Sequence, residues 1–293
     1  MRNKLIYFFS LITFVACTLE GVDEDENNHD NDQITVNEVD STDNSDEQQS
    51  SMLKADSING VANEMVFQRE DGLRIEWEIK KTERPIDLND VVLVNYKARV
   101  AAGEQFDSNS ELGEPVPLKS NIGVMLPGWE QGLVEMSEGD IGRIMIPAAL
   151  AYGEDGYKTI VPPKADIIVD IEIVEKVEPI VLEDGVKVYK YKKVIDGAIP
   201  KKEQKITFDY FAFRKGKDPG MYDNSYQNAT PFSFKFENDN VVEGLHIGMS
   251  VMKAGESAFI EIPAKVAYGK KGLIDHVPAN TDIVYDVRVS TIE

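Results

Sequence analysis

"PGWEQGLVEMSEGD" (residues 127–140) is the stretch whose reading decides the fold. Trp129, Leu133 and Met136 stand at i, i+4 and i+7, one face of a short helix, with Pro127 near its start and Gly139 beyond its end. The segments around it follow another period. "LRIEWEIKK" (73–81), "DVVLVNYKARV" (90–100), "GRIMIPA" (142–148) and "DIIVDIEIVEKV" (166–177) alternate apolar and polar residues and are rich in Val, Ile and Tyr, as half-buried strands are. An antiparallel sheet closing around one amphipathic helix is an α+β architecture.

The same order returns. "EGLHIGMSVMKAGE" (243–256) stands 116 positions after the opening stretch, with Leu245 where Trp129 stood. Strand patterns flank it at "GVKVYKYKKV" (185–194), "QKITFDYFAF" (204–213), "SAFIEIPA" (257–264) and "TDIVYDVRVS" (281–290), and its helix reads over 244–252. Tyr152 and Tyr268, Gly153 and Gly269, Asp170 and Asp286, and Phe106–Asp107 and Tyr222–Asp223 keep the same offset. Two copies, each long enough for its own core, indicate a tandem duplication rather than a solenoid. The join falls at 175–185, giving domains at 61–178 and 179–293.

Ahead of the repeats, Arg2 and Lys4 precede an apolar run over 5–16 that is too short to span a bilayer as a helix and reads as an export signal. Cys17 is the chain's one cysteine, so no disulfide forms within it. "FVAC" resembles the lipobox of bacterial lipoproteins, in which the cysteine is lipidated, although Phe14 departs from the usual first residue. The resemblance implies a signal at 1–17, a membrane anchor at Cys17 and a place in the cell envelope, in the outer membrane, facing the periplasm or the surface. The alternative is an ordinary signal peptide that happens to end near a cysteine. Over 18–60, roughly a dozen acidic residues face a single Lys54 amid Asn, Ser and Gln, the composition of a disordered tether. A net charge of −21 without a basic stripe excludes nucleic acid as a partner. His29, His246 and His276 are the only histidines and have no zinc spacing, so no metal site and no cofactor are expected.

Six segments of the first copy, "DGLRIEWEI" (71–79), "VNYKA" (94–98), "EQFDSN" (104–109), the opening stretch, "IMIPAALAYGEDG" (144–156) and "IVPPKADIIVDIEIV" (160–174), resemble in order and spacing the FKBP family of peptidyl-prolyl cis-trans isomerases. The resemblance implies two tandem FKBP-like domains, each a twisted antiparallel sheet wrapped around a short helix, with a ligand pocket between sheet and helix. It implies catalysis of rotation about the X-Pro bond, by a monomer acting on proline-containing unfolded or exported polypeptides. In the first copy it assigns catalysis to Tyr96, Phe106, Asp107, Trp129 and Tyr152, with Trp129 as the floor beneath the proline ring and the Tyr152 hydroxyl on the substrate carbonyl. Val116, Met125, Leu126, Ile160, Val161 and Val169 would bind substrate, and valine at 116 and 169, often Phe in the family, would widen the pocket. In the second copy the matching set is Tyr210, Tyr222, Asp223, Phe232, Val241, Val242, Leu245, Tyr268, Val277 and Tyr285, with a wetter wall and no indole floor. That copy is read either as a second isomerase or as a binding domain. Aromatic residues at strand spacing are ordinarily core; Tyr152 and Asp107 read instead as turn residues, which points to a site. A competing class is a tethered chaperone, or an adhesion module that binds peptides without turnover.

Overall fold

The computed structural model of the chain describes residues 65–228 and 230–293. The export signal, Cys17, the acidic tether and residues 61–64 of the first domain lie outside the described residues.

The first copy forms a seven-stranded antiparallel sheet in the order β1-β2-β6-β7-β3-β4, with β5 also pairing β3. Its strands are β1 (Val66–Gln68), β2 (Arg74–Ile79), β3 (Val91–Val100), β4 (Gln105–Ser108), β5 (Val116–Lys119), β6 (Ile141–Ile146) and β7 (Ile167–Val177). Helix α1 (Pro127–Leu133) lies across one face. Its approach is close because it turns glycines to the sheet: a Cβ on Gly128 would stand 2.3 Å from Ile146 Cγ2, and one on Gly132 would stand 2.7 Å from Ile144 Cγ2. Leu133 and Trp129 point the same way into a core with Ile75, Val94, Ile144 and Ile171. The helix ends three residues before Met136, yet that side chain is still buried in the same core.

The second copy repeats the topology strand for strand. β8 (Ile180–Val181), β9 (Lys187–Lys192), β10 (Lys205–Arg214), β11 (Gly220–Asn224), β12 (Phe232–Lys235), β13 (Ser257–Ile262) and β14 (Ile283–Ile292) form a sheet in the order β11-β10-β14-β13-β9-β8, with β12 on β10, under helix α2 (Glu243–Met249). Even an irregularity is copied: the register slips between Leu93 and Val94 on β3 and between Thr207 and Phe208 on β10. A buried polar tie is kept with its chemistry changed. Trp77 Nε1 donates to Asp140 Oδ2 at 2.8 Å in the first copy, and Lys190 Nζ donates to Glu256 Oε2 at 2.6 Å in the second.

The two sheets differ on their outer faces. β6 alternates buried and half-buried residues, whereas every residue of β13 is buried. Ala258, Ile260 and Ile262 face α2, and the opposite face of the second sheet is covered by the first domain. Tyr189, Phe211, Phe213, Phe259 and Val284 pack there with Val91, Ile122 and Val177. At its edge Glu261 receives Lys119 Nζ at 3.1 Å and Lys215 Nζ at 2.9 Å, and the Lys119 amine, fully shielded from solvent, also lies 4.5 Å from the Tyr189 ring centre and donates to Asn89 O. The domains are thus docked through an apolar patch with an ionic edge.

Candidate functional site

Each domain gathers its expected site residues where its helix meets its sheet, as a packed cluster in the first and around an open cavity in the second. In the first, β3 supplies Tyr96, β4 supplies Phe106 and Asp107, β5 supplies Val116, β7 supplies Val169, and α1 closes the base with Trp129. Tyr152 follows the 3-10 turn at Ala148–Leu150. The Tyr96 hydroxyl donates to Asp107 Oδ2 at 2.9 Å, and the Tyr96 ring meets Trp129 edge-on with centroids 5.0 Å apart. Phe106 and Tyr152 meet at 6.3 Å, also edge-on, and Tyr157 leans on Tyr152 at 5.4 Å. Asp107 lies in the short strand β4 and not in a turn; "EQFDSN" is too brief and too polar to show a strand period.

Asn109 holds this corner from beneath. Its Oδ1 accepts the Tyr96 N–H at 2.7 Å, and its Nδ2 donates to Val94 O, Asn95 Oδ1 and Glu114 O. In the second domain Ser225 does the same for Tyr210, accepting its N–H at 3.0 Å.

Tyr96, Val116, Met125, Trp129, Val161 and Val169 share one buried cluster, with Phe106, Leu126 and Tyr152 packed against it. Ile160 is the exception, 45% exposed and outside that cluster. Burial, reinforced by Asp107, pushes both the Tyr96 and the Tyr152 hydroxyl far above the ordinary phenol range, so both remain proton donors. Trp129 is 4% exposed, yet its Nε1–H finds no acceptor within the described protein. A buried unpaired donor costs about 1–3 kcal/mol and calls for an explanation.

The second domain opens into a cavity of about 510 Å³. Tyr210, Asp223, Phe232, Val241, Val242, Leu245, Tyr268 and Tyr285 line it, all anticipated from the repeat. Phe208, Asn240, Glu243 and Ala267 line it too, and sequence reasoning missed them because they match no family motif. The Tyr210 hydroxyl donates to Asp223 Oδ2 at 2.6 Å, restating the Tyr96–Asp107 pair. Tyr222 stands behind Tyr268, rings 6.3 Å apart and edge-on, and Val277 is buried in the core beneath. Leu245 leaves less bulk at the floor than Trp129 does, while Phe232 and Tyr285 add rings to the wall where the first domain has Val116 and Val169. His246, beside Leu245, faces Phe234 and Phe236 and bonds the loop at Glu237 and Asp239.

Among the described residues no cluster of His, Cys, Asp or Glu fits a metal ion, and no helix is long and apolar enough to cross a membrane. The first cluster is apolar with fixed phenol donors, the second adds Asn240 and Glu243 at its rim, and neither presents an activated nucleophile. Their chemistry is to hold a small apolar group against a flat wall while donating a few hydrogen bonds.

A family described as FKBP-type peptidyl-prolyl cis-trans isomerase matches residues 82–174 and again 197–290. Peptidyl-prolyl cis-trans isomerase FKBP9 of Bos taurus is 26% identical over 227 residues, covering 76% of this chain and 38% of that protein. Peptidyl-prolyl cis-trans isomerase FPR2 of Saccharomyces cerevisiae is 37% identical over 87 residues, 29% of this chain and 64% of its own length. Among solved structures, the three FKBP domains of wheat FKBP73 align over 76% of this chain and 96% of that one, at 22% identity and a TM-score of 0.40. The chain spans about two fifths of the length of the FKBP9 proteins it matches.

Proposed function

Because the chain belongs to the FKBP-type peptidyl-prolyl cis-trans isomerase family, which matches it in both repeats, we propose that it catalyses cis–trans isomerisation of X-Pro bonds and that the first domain carries most of the activity. The arrangement of Tyr96, Asp107, Trp129 and Tyr152 around one apolar cup is the observation that carries this reading. The reaction makes and breaks no bond; it crosses a rotational barrier of about 18–20 kcal/mol. A catalyst has only to bind the twisted amide better than the planar one. Twisting removes the resonance that gives the planar amide much of its dipole, so an apolar cup disfavours the planar form more. Trp129 would seat the proline ring, and the Tyr152 hydroxyl, held protonated by burial, would anchor a substrate carbonyl.

The full chain is expected to accelerate exchange between cis and trans forms of a Leu-Pro peptide, read by NMR exchange without a coupling protease. Absence of acceleration at micromolar protein, with peptide binding intact, would replace the enzyme by a peptide-binding chaperone. The wide second cavity with a leucine floor supports a binding role for that domain.

The proposed setting is the cell envelope, with the domains held at the membrane through a lipid on Cys17, and exported polypeptides in early folding as substrates. The apolar run ending in "FVAC" supports this reading. Cys17→Ser is expected to move the protein from the membrane fraction to the soluble fraction of an expressing bacterium. Membrane retention of that variant would remove the anchor from the proposal.

A further inference from the structure

The second cup is a chemically altered copy of the first: Phe232 stands where Val116 stood and adds an apolar ring, and the other changes add a polar group or remove bulk. Phe106 becomes Tyr222, Val169 becomes Tyr285, Val124 becomes Asn240, Pro127 becomes Glu243 and Trp129 becomes Leu245. The two added phenols are not scattered. Tyr285 lines the cavity, and Tyr222, behind Tyr268, brings its hydroxyl to 3.4 Å from that of Tyr285. That separation is well beyond the usual O–H···O distance of about 2.7–2.8 Å, so the bond is weak and open to competition from a ligand atom. Burial raises both phenols far above their ordinary range, so each keeps a proton to donate as well as lone pairs to accept.

From this arrangement we infer that the second pocket is selective for a proline-containing segment whose neighbouring side chain is uncharged and hydrogen-bonding, of the Ser, Thr, Asn or Gln class. The first pocket, with Phe106 and Val169 at the equivalent places, prefers an apolar neighbour. A ligand hydroxyl or amide that joins this weakly bonded pair gains hydrogen bonds that an apolar side chain cannot form, which favours the polar neighbour. Charge is disfavoured in both signs. Asp223 and Glu243 line the cavity with no Lys, Arg or His among the lining residues, which repels a carboxylate. Asp223 is already engaged by the Tyr210 hydroxyl and the Asn224 N–H, and Glu243 is solvent-exposed, so an ammonium taken in among neutral phenols would lose its hydration for a counter-charge that water screens.

The inference rests on the proposed proline-binding role of both cups, and the experiment separates the two claims. In the full chain, the Trp129 indole N–H signal reports the first pocket and the Leu245 methyl signals report the second. Four peptides differing only in the residue before proline (Leu, Thr, Lys, Glu) are titrated against both signals. The Leu245 methyls are expected to report a Kd at least fivefold lower for Thr-Pro than for Leu-Pro, with the order reversed at Trp129. In Tyr222→Phe/Tyr285→Phe, which keeps both rings, the preference at Leu245 should vanish while that at Trp129 stays. The same order at both pockets, tightest binding of Lys-Pro at Leu245, or an unchanged ratio in the double variant overturns the inference alone. If no peptide shifts either signal, proline binding itself is refuted and the inference falls with it.

Discussion

Glu261→Ala is expected to destabilise the chain by about 3–5 kcal/mol, the usual cost of removing one partner from a buried ion pair. The reason is what the substitution leaves behind. Glu261 sits between Lys119 and Lys215, at 3.1 and 2.9 Å, and the Lys119 side chain has no exposed surface. Without the carboxylate, two ammonium groups face each other in a site closed by Tyr189 and the packed sheet face. A solvent-exposed pair such as Lys164–Glu154, at 2.9 Å, contributes about 0–1 kcal/mol by comparison. Replacing the pair together, as Lys119→Met with Glu261→Leu, is expected to return most of the loss, since buried ion pairs exchange for apolar contacts at little net cost. Urea unfolding of the full chain checks both. A midpoint unchanged in Glu261→Ala would mean that the domains do not dock through this edge.

The same triple sets a pH dependence. Burial opposes ionisation of Glu261, but Lys119 and Lys215 outweigh it and hold the carboxyl down to about 2. Its contribution is therefore complete above the unfolded carboxyl value near 4.5 and is lost as pH falls from there toward 2. Burial pushes the Lys119 amine down to about 8, with Glu261 acting against it. That amine is costly while protonated, and stability is regained as pH rises from about 8 toward 10.5. Between these limits neither group titrates, so the midpoint should be flat from about pH 5 to 7 in the parent protein, as far as this triple determines it.

This docking was written in the sequence at positions that the helix and strand periods did not use. On the outer face of the first sheet stand Glu76, Glu78, Lys97, Arg99 and Arg143; at the equivalent places in the second stand Tyr189, Tyr191, Phe211, Phe213 and Phe259. A strand apolar on one face packs on its own helix, and one apolar on both faces needs a second cover. "DYFAF" and "SAFIEI" carry that signal, which stands out only against the charged residues at the same places in the first copy. The long elements were legible because the apolar residues recur over enough positions: the strand expected over 166–177 is β7 (Ile167–Val177), and the helix read from Trp129, Leu133 and Met136 is α1. Its end was misplaced because Met136 is buried from the turn after the helix rather than from its last coil. Strands β1, β4, β5, β8, β11 and β12 are two to five residues each, too short for alternation to appear. The cup residues came from the family resemblance and not from periodicity. What no motif indicated was the second cavity's polar rim, Asn240 in the loop before α2 and Glu243 in its first turn.

Trp129→Leu is expected to lower kcat/KM for a Leu-Pro peptide about tenfold or more, since each factor of ten is about 1.4 kcal/mol of transition-state binding. Alanine is the wrong probe here. Trp129 is 4% exposed and meets Tyr96 at 5.0 Å, so truncation to Ala would cost about 3–5 kcal/mol of stability and confuse folding with catalysis. The protein itself supplies the better substitution: Leu245 occupies the matching place on α2, 3% exposed and packed in an intact core. Leucine therefore fits beneath this kind of sheet, but it removes the broad indole face and with it the unpaired Nε1–H. The discriminating result lies in the pairing of rate with stability. A large fall in kcat/KM with a folded, cooperatively unfolding protein places proline on the indole. Full activity in Trp129→Leu would show that the indole is core alone, and would move the proposed chemistry out of this cup. Leu245→Trp supplies the reverse test, because an indole there would occupy part of the 510 Å³ cavity. If a flat aromatic floor is what catalysis requires, that variant should gain turnover at the second pocket even in the Trp129→Leu background, where the first no longer masks it.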